Sequence, residues 1–85
     1  MPTVVVYTKS FCPYCRSAMD LLRQKGAAFE EISLDGDRAA QAAMSAKAGG
    51  RSTVPQIFIG AEHVGGCDDL YALDDAGRLD ALLAA

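Results

Sequence analysis

The chain has 85 residues, room for one domain but not for two independent cores. With 51% apolar residues it can bury a thin core, so chemistry is expected at the surface rather than in a large internal pocket. A formal charge of −3 and a pI near 4.8 argue against nucleic acid and anionic membranes as partners, and no Lys/Arg-rich run offsets that field.

The N-terminal stretch Met1-Pro2-Thr3-Val4-Val5-Val6-Tyr7 has no basic region and is too short for a signal-peptide core or a membrane span, which predicts a cytoplasmic protein. Thr3 to Thr8 is β-branched and reads as a buried strand. Ser10-Phe11-Cys12 follows, and Pro13 suits the first position of a helix because its missing N–H has no intrahelical partner there. That helix is expected to run to about Lys25. Ala18, Leu21 and Leu22 lie on one face, Arg16, Asp20 and Arg23 are more polar, and Gly26 is the stop.

Phe29 to Leu34 is a weaker strand, since only Ile32 and Leu34 alternate cleanly. Asp35-Gly36-Asp37 reads as a turn able to cap the next segment. From Arg38 to Ala48 six of eleven residues are alanine, so propensity rather than amphipathicity predicts a helix, ended by Gly49-Gly50. Pro55 precedes the short apolar strand Gln56-Ile57-Phe58-Ile59, and Gly60-Ala61-Glu62 reads as a tight turn into His63-Val64. Gly65-Gly66 breaks this strand, and Cys67-Asp68-Asp69 opens a third helix carrying Leu70, Tyr71 and Leu73. Leu79, Leu82 and Leu83 mark a last short helix. The order β-α-β-α-β-β-α predicts an α/β fold. A right-handed βαβ unit and a hairpin build a four-stranded mixed sheet with helices on both faces.

Three cysteines are too few and too uneven for a disulfide scaffold, whereas Cys12 and Cys15 stand three apart at a helix start. The unpaired N–H groups and partial positive charge of that terminus, with Lys9 and Arg16 nearby, favour a Cys12 thiolate. Cys15, one turn further in, suits resolution of a mixed disulfide. Zinc is the rival chemistry, but no second C-x-x-C or His pair exists, and only His63 with Cys67 remains to complete a site. No metal is therefore expected. Gly65-Gly66-Cys67-Asp68 offers bare backbone N–H groups at a helix start, a ready carboxylate site. Pro55 leaves the Val54 backbone free to pair with an extended peptide.

Three blocks carry a family resemblance: Tyr7-Thr8-Lys9 leading to Cys12-Pro13-Tyr14-Cys15, Thr53-Val54-Pro55-Gln56-Ile57-Phe58-Ile59, and Gly65-Gly66-Cys67-Asp68-Asp69-Leu70. In this order the chain resembles the small bacterial dithiol glutaredoxins. The resemblance implies a thioredoxin fold and glutathione-dependent reduction of protein disulfides and protein–glutathione mixed disulfides. It implies Cys12 as nucleophile, Cys15 as resolving thiol and a cis Val54–Pro55 bond. It further implies a glutathione site of Lys9, Tyr14, Arg51, Thr53, Val54, Pro55, Gly66, Cys67 and Asp68. There Asp68 faces the glutathione ammonium, Lys9 and Arg51 attract the glycyl carboxylate, and Tyr14 packs beside the sulfur. Without the resemblance Asp68 reads equally as a helix cap, and Arg51 and Tyr14 as surface side chains. The partners implied are glutathione and disulfide-containing or glutathionylated proteins, with the protein itself a monomer. Some relatives instead bridge an iron–sulfur cluster between two subunits; Pro13 counts against that, since those usually carry a small or hydroxylated residue there. Thioredoxins usually carry Gly-Pro between their cysteines and lack the Gly-Gly-Cys-Asp block.

Overall fold

The structure, a computed structural model, describes residues 2–85; Met1, which opens the N-terminal stretch, lies outside them. The elements follow the order β1 (Val4–Thr8), α1 (Pro13–Gln24), β2 (Glu30–Ser33), α2 (Arg38–Lys47), β3 (Gln56–Ile59), β4 (Glu62–Gly65), α3 (Cys67–Asp75) and α4 (Leu79–Ala84). Among the described residues the strands make one sheet in the order β2-β1-β3-β4, with β1 parallel to β2 and the other pairs antiparallel. This is the mixed sheet expected from a βαβ unit followed by a hairpin.

Strand alternation divides the core in two. Val4, Val6, Ile57 and Ile59 face α1, α3 and α4, where Leu21, Leu22, Leu70, Leu79 and Leu83 close over them. On the opposite face Met44 and Ala48, from α2 and its C-cap, join Leu34 and pack with Tyr7 and Phe58. The larger cluster carries most of the apolar burial. Truncating the fully buried Leu22 to alanine is expected to cost about 2–5 kcal/mol.

Several boundaries differ from the sequence reading by a residue or two, each for a hydrogen-bonding reason. α1 ends at Gln24 because Lys25 caps it: Gly26 N–H donates to Arg23 and Ala27 N–H to Leu22, with Gly26 at φ 70 in the left-handed conformation of a Schellman cap. The hairpin turn is only Gly60-Ala61. Gly60 takes φ 59, so Glu62 already pairs with Ile59 and belongs to β4. Gly65 does not break that strand but is its last residue, paired with Ile57 across a register shift between Ile57 and Phe58. Thr3, Phe29 and Leu34 fall outside their strands, although Leu34 N–H still donates to the Thr8 carbonyl at 2.9 Å.

Candidate active site

At the C-terminal end of β1 the chain turns through Lys9, Ser10 and Phe11 into α1. Cys12 is the N-cap of α1 and Pro13 its first residue. The extended backbone of Cys12 turns its sulfur back over the helix start, where Sγ accepts the Cys15 N–H at 3.1 Å. Cys12 and Cys15 are bonded through their sulfurs, with Cα atoms 5.2 Å apart. Cys15 is 2% exposed, while Cys12 is only half-buried, so an incoming reagent can reach Cys12 alone. The Cys12 sulfur lies 3.9 Å from the Val54 carbonyl oxygen; bonded to Cys15 it has no hydrogen to donate, and this is a packing contact. The contact brings the segment before β3 beside the reactive pair. The Val54–Pro55 peptide there is cis, as the resemblance implied.

An open groove of about 300 Å³ runs along this segment, lined by Tyr14, Arg51, Thr53, Val54, Pro55, Gly66, Cys67, Asp68 and Asp69. It gathers every residue expected to contact glutathione except Lys9. Lys9 is exposed and borders a neighbouring cavity with Asp35, Asp37 and Arg38, because the turn after β1 carries it toward the β2–α2 loop.

Asp69 is the groove residue that the sequence reading missed. Its carboxylate accepts the Gly66 N–H at 2.9 Å and pairs with Arg51 at 3.2 Å. The Gly66 N–H, then the Arg51 guanidinium, hold the Asp69 carboxyl below the usual carboxylate range, against the opposing effect of burial. The signal was present in the sequence: an acid three residues into a helix, reaching back to the cap N–H, is half of a capping box. Arg51 is thus partly neutralised within the protein and lies over Gly65 and Gly66. A Cβ on Gly65 would stand 2.8 Å from Arg51 Nη1 and collide with the Asp69 carboxylate, and the φ of 116 there also demands glycine.

Gln56 is a second unforeseen participant. Fully buried at the start of β3, it donates from Nε2 to Thr53 Oγ1 at 3.3 Å and accepts from His63 Nε2 at 2.8 Å. It therefore ties the loop carrying Thr53 and Val54 to the hairpin. His63 is occupied by this bond and stacks on Phe58, with ring centroids 4.9 Å apart. Among the described residues no group of three His, Cys, Asp or Glu side chains is arranged to hold a metal ion.

Cys67 is the first residue of α3 and 8% exposed. Burial, and then the neighbouring Asp68 carboxylate, push its thiol above the ordinary cysteine value. This is the environment of an unreactive thiol.

A family model described as glutaredoxin matches residues 4–64. A glutaredoxin of Pseudomonas aeruginosa is 58% identical over 85 residues, covering the whole of both chains. Glutaredoxin 3 of Escherichia coli strain K12 is 57% identical over 83 residues, 98% of this chain and 99% of that protein. Among solved structures, a buckwheat glutaredoxin–glutathione complex superposes with a TM-score of 0.89 at 37% identity, over 98% of this chain and 77% of the other.

Proposed function

The chain belongs to the glutaredoxin family of thiol–disulfide oxidoreductases, with a thioredoxin fold, and from that premise we propose that it reduces protein disulfides and protein–glutathione mixed disulfides at the expense of glutathione. One observation carries this reading. A redox pair at the start of α1 opens onto a groove whose lining contains eight of the nine residues expected to bind glutathione.

In the reduced protein Cys12 is the nucleophile. The Cys15 N–H that points at its sulfur and the dipole of α1 favour the thiolate, and no acidic residue stands in the first turn to oppose it. The thiolate attacks a sulfur of the substrate disulfide. A mixed disulfide forms, and the other substrate sulfur leaves as a thiolate that takes up a proton. Cys15, shielded from solvent and one helical turn away, then attacks Cys12 and releases the client, which leaves the Cys12–Cys15 disulfide. Two glutathione molecules restore the dithiol in two exchanges and leave as glutathione disulfide.

Glutathione lies in the groove with its γ-glutamyl carboxylate on the first-turn N–H groups of α3 at Cys67 and Asp68, the Gly66 N–H being held by Asp69, and its ammonium facing the Asp68 side chain. Its backbone pairs with Val54, Thr53 and Pro55 form the wall, and Tyr14 covers its sulfur. Arg51 acts on a glutathione carboxylate while held by Asp69, and Lys9, outside the lining, acts only as a nearby positive charge. The reading carries with it a cytoplasmic monomer whose partners are glutathione and oxidised or glutathionylated proteins.

The test is a split between two variants. Cys12→Ser should lose all activity, whereas Cys15→Ser should keep deglutathionylation and lose reduction of protein disulfides. Substantial turnover by Cys12→Ser, or rapid reduction of the oxidised protein by a thioredoxin reductase but not by glutathione, defeats the proposal.

A further inference from the structure

Phe11, next to the nucleophile, is 100% exposed. Its backbone takes φ 58, the only positive φ at a non-glycine residue among those described, and a bulky side chain is rarely found there. The fold holds it in place from a distance. Both carboxylate oxygens of Asp35, on the β2–α2 loop, accept the Ser10 N–H at 3.0 and 3.1 Å, and Asp35 Oδ2 also accepts from Ser10 Oγ. These bonds, the hydroxyl's first and the backbone's second, keep the Asp35 carboxyl below its ordinary value and therefore charged at neutral pH. A clamp between two loops thus fixes a turn that sends an apolar ring into water.

The ring plays no part in the groove, whose lining does not include it. It does directly precede the reacting cysteine in the chain. On the far side of Cys12 in the chain, Tyr14 is 66% exposed, so two exposed aromatic residues stand within two positions of Cys12 in the chain. When Cys12 is joined to a client sulfur, the two Cα atoms stand about 5.5–6 Å apart. Side chains beside the client cysteine are then brought close to those beside Cys12, and of these Phe11 is the fully exposed aromatic one, outside the groove that Tyr14 helps to line.

We propose that Phe11, presented by the turn that Asp35 clamps, selects protein clients by packing on an apolar side chain adjacent to the client's disulfide cysteine. The inference rests on the function proposed above and adds the substrate class. The covalent steps are those already given: the client disulfide breaks, its attacked sulfur bonds to Cys12, the other sulfur leaves as a protonated thiol, and glutathione supplies the two electrons. Phe11 acts on the lifetime of the encounter, and Asp35 is a positioning residue acting through it.

The experiment compares two peptides, each with an internal disulfide, one with leucine and one with serine beside its cysteines. The glutathione mixed disulfide of mercaptoethanol serves as a substrate with no client peptide. The unmodified protein should prefer the leucine peptide by about tenfold in kcat/KM, the effect of burying roughly half a phenyl ring. Phe11→Ala should erase that preference through KM and leave turnover of the mercaptoethanol disulfide unchanged. Asp35→Ala should weaken the preference with Phe11 intact, and Phe11→Leu should retain most of it. Equal turnover of both peptides by the unmodified protein, or a Phe11→Ala loss shared by all three substrates, overturns the inference. No glutathione-coupled turnover of even the mercaptoethanol disulfide overturns the proposed function itself.

Discussion

Cys12 and Cys67 both stand at the start of a helix, α1 and α3 respectively, yet the fold prepares them for opposite chemistry. Cys12 is the cap itself, so its sulfur lies over the helix terminus and receives the Cys15 N–H. Cys67 is one position further along, at the first helical residue, and is buried. The first turn of α1 has no acid, whereas that of α3 has Asp68 and Asp69. At α1 the sulfur occupies the cap and no carboxylate competes for the same N–H groups, the arrangement that favours a thiolate in the reduced protein. At α3 the cap N–H is taken by Asp69, and the terminus is shaped for a ligand rather than for a nucleophile.

The sharpest break would come from activity. In a glutathione-coupled assay Cys12→Ser should lose on the order of 10³-fold or more, because the thiols that remain, Cys15 and Cys67, are buried out of reach of a substrate disulfide. Cys67→Ser should lose no more than about threefold, since the backbone N–H at that position survives the substitution. Losses of similar size would end the distinction between the two helix starts. Reactivity should follow. With the fully reduced protein at pH 7, iodoacetamide should alkylate Cys12 about 10²-fold faster than Cys67, and the gap should narrow as pH rises through the ordinary thiol range. Asp68→Asn should speed Cys67 only a few-fold, because burial outranks the Asp68 charge as the cause of its raised pKa.

A backbone test is expected to be smaller. Gly65→Ala places a Cβ against Asp69 and Arg51 at a φ of 116, and should lower stability by about 1–3 kcal/mol while raising the KM for glutathione. Thermal unfolding and steady-state kinetics measure the two effects, and an unchanged KM would detach Arg51 and Asp69 from the groove. Smallest of all is the acid response. The Asp69 carboxyl is lowered in the folded protein, so its contribution is present above the unfolded carboxylate value near ~3.9 and is lost as pH falls through the folded one. Between pH 7 and pH 3 the melting temperature of the unmodified protein should drop further than that of Asp69→Asn. The difference will be slight, because Asp69 is about half exposed.

Much of this molecule is determined locally. The β-branched run at Val4 to Thr8, proline one step past Cys12, the alanine-rich stretch from Arg38 and the glycine turn at Gly60 each impose their own backbone, so element order and sheet type follow from short-range preferences. The redox pair is legible for the same reason: three residues of spacing at a helix start place both sulfurs on one turn. What sequence could not supply is direction in space. Lys9, three residues from Cys12, leaves the groove because a turn carries it toward the β2–α2 loop, while Arg51 enters it to meet Asp69. Gln56 supports Thr53 only because the β3–β4 hairpin folds His63 back onto it. Phe11 stands in water at a turn whose preceding residue, Ser10, is held by the Asp35 carboxylate 25 residues further along the chain. Contacts between residues distant in sequence depend on how loops close, and neither periodicity nor propensity encodes that. The two cysteine environments divide the same way: the sequence alone put both thiols at helix starts, and the tertiary structure left Cys12 half-buried at a helix cap and buried Cys67 beside the Asp68 carboxylate.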